Sequence, residues 1–109
     1  VGTPEYVSPE QARGKLKLDA RSDIYSLGAS LYHMVTGDPP CHDPGDPEIR
    51  RQHVQEGIAR VQRSSTGMDR AVSYFILRMM DEDPKKRYAT PRDLATEMQQ
   101  WLDGMKSFA

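Results

Sequence analysis

The sequence predicts an all-α fold, and three features carry that reading. A capping hydroxyl followed by proline occurs twice, at Ser8-Pro9 and Thr90-Pro91, the arrangement that opens a helix. Apolar residues return at helical spacing over long stretches, and no stretch reads as a strand. Five helices are expected.

The first is very short. Ser8 stands at the N-cap, Pro9 at the first helical position and Gln11 closes a capping box, while Gly14 suits a left-handed end. Before it, Pro4 pushes Thr3 out of the helical region and Gly2 permits unusual backbone angles, so Gly2 to Tyr6 is an extended or turn-like loop. After a charged connector from Lys15 to Arg21, Ser22-Asp23 opens the stretch SDIYSLGASLYHMVTG, which Gly37 ends. Ile24, Leu27, Leu31 and Val35 lie along one side of that helix, Tyr25, Ala29 and Tyr32 along another, and Met34 adds to the coverage. A helix apolar on most sides is a central helix, and any side left unwrapped is an exposed apolar face.

The run DPPCHDPGDP is a proline-rich loop. Glu48 to Gly57 reads as a polar surface helix whose weak apolar side is Ile49, Val54 and Ile58. Arg60 to Arg70 reads as loop. Ala71 to Met80 is a helix with Val72, Phe75, Ile76 and Met79 on one stripe, stopped by Asp83-Pro84. The last helix opens at Thr90-Pro91 and carries Leu94, Met98, Trp101, Leu102 and Met105 on one face.

Composition narrows the function classes. The 109 residues allow one small domain, and fifteen Lys plus Arg against sixteen Asp plus Glu leave a net charge of -1, without the basic footprint that nucleic acid requires. A single cysteine, Cys41, makes no internal disulfide and suits a reducing compartment, and no apolar run is long enough to span a membrane. The start at Val1 leads us to expect an excised segment of a longer chain.

No self-sufficient active site emerges from spacing. A Gly-rich phosphate cradle, a His-Glu-x-x-His pair and a nucleophile elbow are all missing from the sequence. Cys41, His42, His33 and His53 lack the paired spacing of a structural zinc site. Taken singly, Glu10 and Asp23 are first-turn acids that complement a helix dipole, Arg87 is one cation of a basic triplet, and Ser64, Ser65 and Thr66 are linker hydroxyls or phosphorylation sites.

In order, however, GTPEYVSPE, DARSDIYSLG and DEDPKKR resemble the last third or more of a protein kinase catalytic domain of the bacterial serine/threonine type. Ser8-Pro9-Glu10 stands where the family has Ala-Pro-Glu at the end of the activation segment. The resemblance runs over essentially all of residues 1–109. It implies the C-terminal part of the large helical lobe of a kinase fold, as a partial catalytic domain with no second domain.

The same resemblance implies roles. Gly2, Thr3, Pro4, Glu5 and Tyr6 would form the wall on which the peptide substrate docks, and Thr3 would support the catalytic aspartate. Glu10 would form a buried ion pair with Arg87, Asp23 would accept amide hydrogen bonds from the catalytic loop, and Ser8, Pro9 and Gly28 would be structural. Glu48 to Gly57 corresponds to a region on which kinases dock substrates or regulators, and Cys41 replaces the usual aromatic of the preceding loop. The parent would be a cytoplasmic kinase using ATP and Mg to phosphorylate protein Ser/Thr, either free or anchored through a segment outside this chain. The Gly-rich loop, strand lysine, catalytic-loop aspartate with its asparagine, and metal-binding aspartate are missing from these residues. The chain alone is therefore expected to be inactive and to bind neither ATP nor metal. Its partners would be a protein substrate, the missing N-lobe and catalytic loop, and a second copy through self-association or segment exchange. Two alternatives stay open: a pseudokinase or scaffold, and a stand-alone helical interaction module.

Overall fold

The computed structural model describes residues 6–12, 14, 19–40, 46–63 and 67–107. These form five helices and one 3-10 turn, and no strand occurs among the described residues. Helix α1 is Pro9–Ala12, α2 Ala20–Thr36, α3 Pro47–Gln62, α4 Gly67–Met79 and α5 Pro91–Ser107, with the 3-10 turn Pro84–Lys86 between α4 and α5.

Local chemistry sets most of the ends. The α2 N-cap is Asp19, whose side chain accepts the Arg21 amide at 2.9 Å. This corrects the expectation that Ser22 opens the helix: the Ser22 hydroxyl is buried and is committed elsewhere. Gly37 closes α2 at φ 83°, its amide reaching the His33 carbonyl at 2.9 Å, a left-handed ending that costs glycine nothing. Asp46 caps α3 by accepting the Glu48 amide at 3.0 Å, with Pro47 next in the chain. The Thr90 hydroxyl accepts the Asp93 amide at 3.1 Å as α5 begins.

Two boundaries differ from the sequence reading. Helix α3 extends beyond Gly57 to Gln62, and α4 begins at Gly67, so residues 60–62 and 67–70 of the expected loop are helical.

Helix α2 is the hub. It packs against α4 and α3, which also pack against each other. The core is Ile24, Tyr25, Ala29 and Tyr32 from α2, Val54 and Ile58 from α3, Phe75, Ile76 and Met79 from α4, and then Met80, Tyr88 and Leu94. Helix α5 joins through Leu94 and Trp101, the latter set edge-on to Phe75 with ring centroids 6.4 Å apart.

Glycines permit the closest approaches. A Cβ at Gly28 would lie 2.7 Å from Met79 Cβ and 2.9 Å from Met80 Cγ, and a Cβ at Gly57 would run into the Tyr32 hydroxyl. Met79 Cβ has no rotamer with which to yield, so a methyl at Gly28 must push α2 and α4 apart. Gly28→Ala is therefore expected to destabilise by roughly 1–3 kcal/mol in thermal or urea unfolding, although alanine is the better helix former by about 1 kcal/mol. An unchanged midpoint would mean that the helices pack less closely than these distances require.

The side of α2 away from α3 and α4 is uncovered. Asp23, Leu27 and Met34 there are exposed, Met34 at 80%, and this is the unwrapped face that the apolar pattern of α2 anticipates.

Candidate functional site

The site is an anchor built around one short helix. Four residues cannot hold a helix by themselves, and α1 is fixed at both ends. At its start Ser8 and Gln11 cap each other: the Ser8 amide donates to Gln11 Oε1 at 2.9 Å, and the Gln11 amide donates to Ser8 Oγ at 3.2 Å. Beyond its end the Gly14 amide donates to the Gln11 carbonyl at 3.0 Å, with Gly14 at φ 75°.

The decisive contact lies between. Glu10 and Arg87, 77 residues apart, meet through two parallel hydrogen bonds, Nη1 to Oε2 at 2.7 Å and Nη2 to Oε1 at 3.0 Å. Their side chains are 7% and 0% exposed. The Ser22 hydroxyl adds a third donor to Glu10 Oε2 at 2.6 Å. The guanidinium is used up as fully as the carboxylate: Nε donates to the Asp81 carbonyl at 2.7 Å, Nη1 also donates to the Arg21 carbonyl at 3.1 Å, and the group lies 4.9 Å from the Tyr25 ring centroid. A planar fork with five donors can serve several acceptors at fixed angles. Arg87 thereby joins α1, the first turn of α2, the segment after α4 and the turn before α5.

The electrostatics follow from this geometry. Burial pushes the Glu10 carboxyl up, but the hydrogen bonds from Arg87 and Ser22 outweigh it and hold the group at about 2, against an ordinary 4.5. Glu10 is thus a buried, permanently ionised acid at neutral pH.

Tyr6, at the head of this anchor, lies against α2. Its hydroxyl is 2.6 Å from His33 Nδ1, and its carbonyl accepts the Ser26 hydroxyl at 2.9 Å. Gly2, Thr3, Pro4 and Glu5 lie outside the described residues. Asp23 sits one helical step past Ser22 and is exposed, with no hydrogen-bond partner among the described residues. Ser8 and Pro9 are buried with Glu10. The structure thus brings Ser8, Pro9, Glu10 and Arg87 together, sets Gly28 in the packing of α2 on α4, and leaves Asp23 facing out.

One feature of the fold escapes the sequence reading. Arg50 of α3 is 3% exposed and forms a second forked pair, Nε to Glu82 Oε1 and Nη2 to Glu82 Oε2, both at 3.1 Å. The signal for it is its register: Arg50 precedes Val54 and Ile58 at four-residue steps, on the inward stripe, whereas Ile49 is 59% exposed. This pair straps α3 to the segment that also supplies the Asp81 carbonyl. A cleft of about 400 Å³ opens beside it, lined in part by Tyr25, Val54, Met80 and Lys86. No group of three or more His, Cys, Asp or Glu able to hold a metal occurs among the described residues, and Cys41 and His42 lie outside them. No described helix is long and apolar enough to cross a membrane.

A buried acid just after a Ser-Pro turn, forked onto an arginine ahead of the last helix and set on a central helix, is the arrangement that the resemblance to the closing part of a protein kinase domain implies. The protein kinase domain family matches residues 1–101, and the chain belongs to it. Its similarity is to serine/threonine-protein kinase PknB of Mycobacterium tuberculosis strain H37Rv, at 36% identity over 98 residues, covering 90% of this chain and 16% of that protein. The probable serine/threonine-protein kinase PknB of Bifidobacterium longum is 38% identical over 104 residues, 95% of this chain and 15% of that protein. A probable serine/threonine-protein kinase of Corynebacterium efficiens is 37% identical over 103 residues, 91% of this chain and 16% of its own length. The chain thus spans about one sixth of the length of these relatives.

Proposed function

We propose that this chain supplies the peptide-docking wall and helical scaffold of a cytoplasmic serine/threonine protein kinase with a role in signalling. The buried Glu10–Arg87 fork carries the reading, because it fixes the segment that follows Tyr6 to the helical scaffold. The wall is the segment Gly2 to Tyr6, with Thr3 supporting the catalytic aspartate of the complete domain. Asp23, outward at the start of α2, receives the amides of the catalytic loop, and the exposed apolar face beside it receives the rest of the catalytic domain. The lone cysteine suits the reducing compartment in which such kinases work.

ATP with Mg supplies the phosphoryl group in this chemistry. We assign no site for either to this chain, because its sequence lacks the Gly-rich loop, strand lysine and metal-binding aspartate that hold them. What the chain contributes is positioning, holding the peptide hydroxyl at a fixed place relative to the rest of the domain. When its partner segments are absent, the exposed face of α2 favours self-association or segment exchange with a second copy.

Two measurements test the proposal together. The chain by itself is expected to show no ATP-Mg binding by calorimetry, and micromolar binding would contradict the division of labour. A complete catalytic domain carrying this chain, given radiolabelled ATP, is expected to yield phosphoserine or phosphothreonine in protein substrates. A domain that folds but transfers nothing would favour the pseudokinase reading instead.

A further inference from the structure

The cleft beside the Arg50–Glu82 fork has a volume of about 400 Å³, within the range of small-ligand sites. One of its walls is α3, and the other is the end of α4 with the turn that follows it. Tyr25 of α2 lies between them, and with Val54, Leu77 and Met80 it makes an apolar base. Methionine adapts to the shape of what it meets.

The fork joins the two walls, and the charges it leaves over are of opposite sign on the two sides. On α3 stand the Arg51 guanidinium and the Gln55 amide. Arg51 also reaches Glu48, but both side chains of that pair are more than half exposed, and such a pair holds its cation weakly. Opposite are the carboxylates of Asp81 and Asp83 against the single ammonium of Lys86. Each of these two acids accepts one backbone amide through Oδ1, from Asp83 at 2.9 Å and from Lys85 at 3.0 Å, so each keeps a second oxygen for a ligand. An apolar base between walls of opposite sign matches a molecule with an apolar body, a carboxylate and an ammonium. A molecule carrying only one of the two charges is matched at one wall alone.

We propose that this cleft binds an apolar zwitterion, an amino acid or dipeptide with a large apolar side chain: the side chain enters between Val54, Leu77 and Met80, the carboxylate meets Arg51 and Gln55, and the ammonium meets Asp81 and Asp83. The site shares its surroundings with the anchor. The Tyr25 ring lies 4.9 Å from the Arg87 guanidinium, and the Asp81 carbonyl accepts Arg87 Nε at 2.7 Å. A ligand in the cleft therefore rests on residues that hold the Glu10–Arg87 fork, and it stabilises the folded state by binding to that state alone.

The test titrates L-phenylalanine and the dipeptide Leu-Phe into the complete catalytic domain carrying this chain, labelled with ¹³C at its methionine methyls. The Met80 methyl is expected to shift saturably with a Kd of roughly 0.1–3 mM for the better of the two, the range of a ligand of this size, and the tighter probe tells amino acid from dipeptide. Tm is expected to rise by roughly 2–5 °C at about ten times that Kd. N-acetyl-phenylalanine, which lacks the ammonium, and phenylalaninamide, which lacks the carboxylate, are each expected to bind about threefold or more weakly than phenylalanine. On the protein side, Arg51→Glu and Asp83→Asn are expected to weaken the zwitterion by a similar factor, the asparagine still capping the turn through its Oδ1. If neither zwitterion shifts Met80 up to about 20 mM, or Tm does not move, the proposal is overturned. It is overturned as well if the two blocked compounds bind as tightly as phenylalanine, or if both variants keep the wild-type Kd, since the cleft would then be an apolar recess without charge recognition.

Discussion

Replacing Arg87 by alanine is expected to destabilise the protein by roughly 3–5 kcal/mol, the cost of leaving one member of a buried ion pair behind. The magnitude rests on burial. Exposed pairs contribute well under about 1 kcal/mol, and Arg51 with Glu48, whose side chains are 54% and 59% exposed, belongs to that class. Arg87 and Glu10 are at the other limit, and three further acceptor or ring partners of Arg87 lose their cation at the same time. Because native domains are stable by only about 5–15 kcal/mol, the variant is expected to be largely unfolded at 37 °C or to lose its cooperative transition. Urea unfolding followed by circular dichroism checks this, and a loss below about 1 kcal/mol would mean that the pair is effectively solvated.

The second large effect is acid lability. The Glu10 carboxyl titrates near 2 in the folded protein and near 4.5 when free, so the folded state favours the ionised form. A depressed carboxylate contributes stability that is fully present above its unfolded value and is lost as pH falls through the folded one. Glu10 alone is therefore expected to account for about 3 kcal/mol lost between pH 5 and pH 2. In Glu10→Gln that part of the pH dependence should vanish, with the variant less stable than wild type at pH 7 and nearly equal to it at pH 2. Parallel curves for the two proteins across this range would place the titrating group elsewhere.

How far the sequence discloses this arrangement differs by element. The turn at Ser8 to Gly14, the end of α2 at Gly37 and the start of α5 at Thr90-Pro91 are legible because each depends on neighbours within four residues. The inward face of α4 is legible because Phe75, Ile76 and Met79 follow helical spacing, and on α5 Leu94, Met98 and Trp101 do so, whereas Leu102, expected on the same face, is 42% exposed. Ser22 misleads as a cap for an identifiable reason: serine suits either role, and here Glu10, twelve residues earlier, takes its hydroxyl while Asp19 caps the helix. The extension of α3 to Gln62 has a signal that the two polar neighbours of Val61 hide: Val61 follows Val54 and Ile58 at helical spacing.

The anchor itself is a different case. Glu10 and Arg87 read singly as solvated charges, and no local pattern links positions 77 residues apart. Only the ordered resemblance to a kinase supplies that link. Arg50 lay within reach of periodicity, since it shares a stripe with Val54 and Ile58, but the ordinary expectation for an arginine in a polar helix hides it. The His33 contact to Tyr6 was invisible for the reason that applies to Glu10: it is a long-range bond between two unexceptional residues.

The central claim is that the Glu10–Arg87 fork ties the activation-segment end to the helical scaffold. A double-mutant cycle measures that tie directly, with Glu10→Gln, Arg87→Met and the double variant followed by urea unfolding. The expected result is a coupling of at least about 2 kcal/mol, with the double variant close to the worse single one. Additive losses, with a coupling below about 0.5 kcal/mol, would contradict it and leave the two residues as independent contributors to the fold.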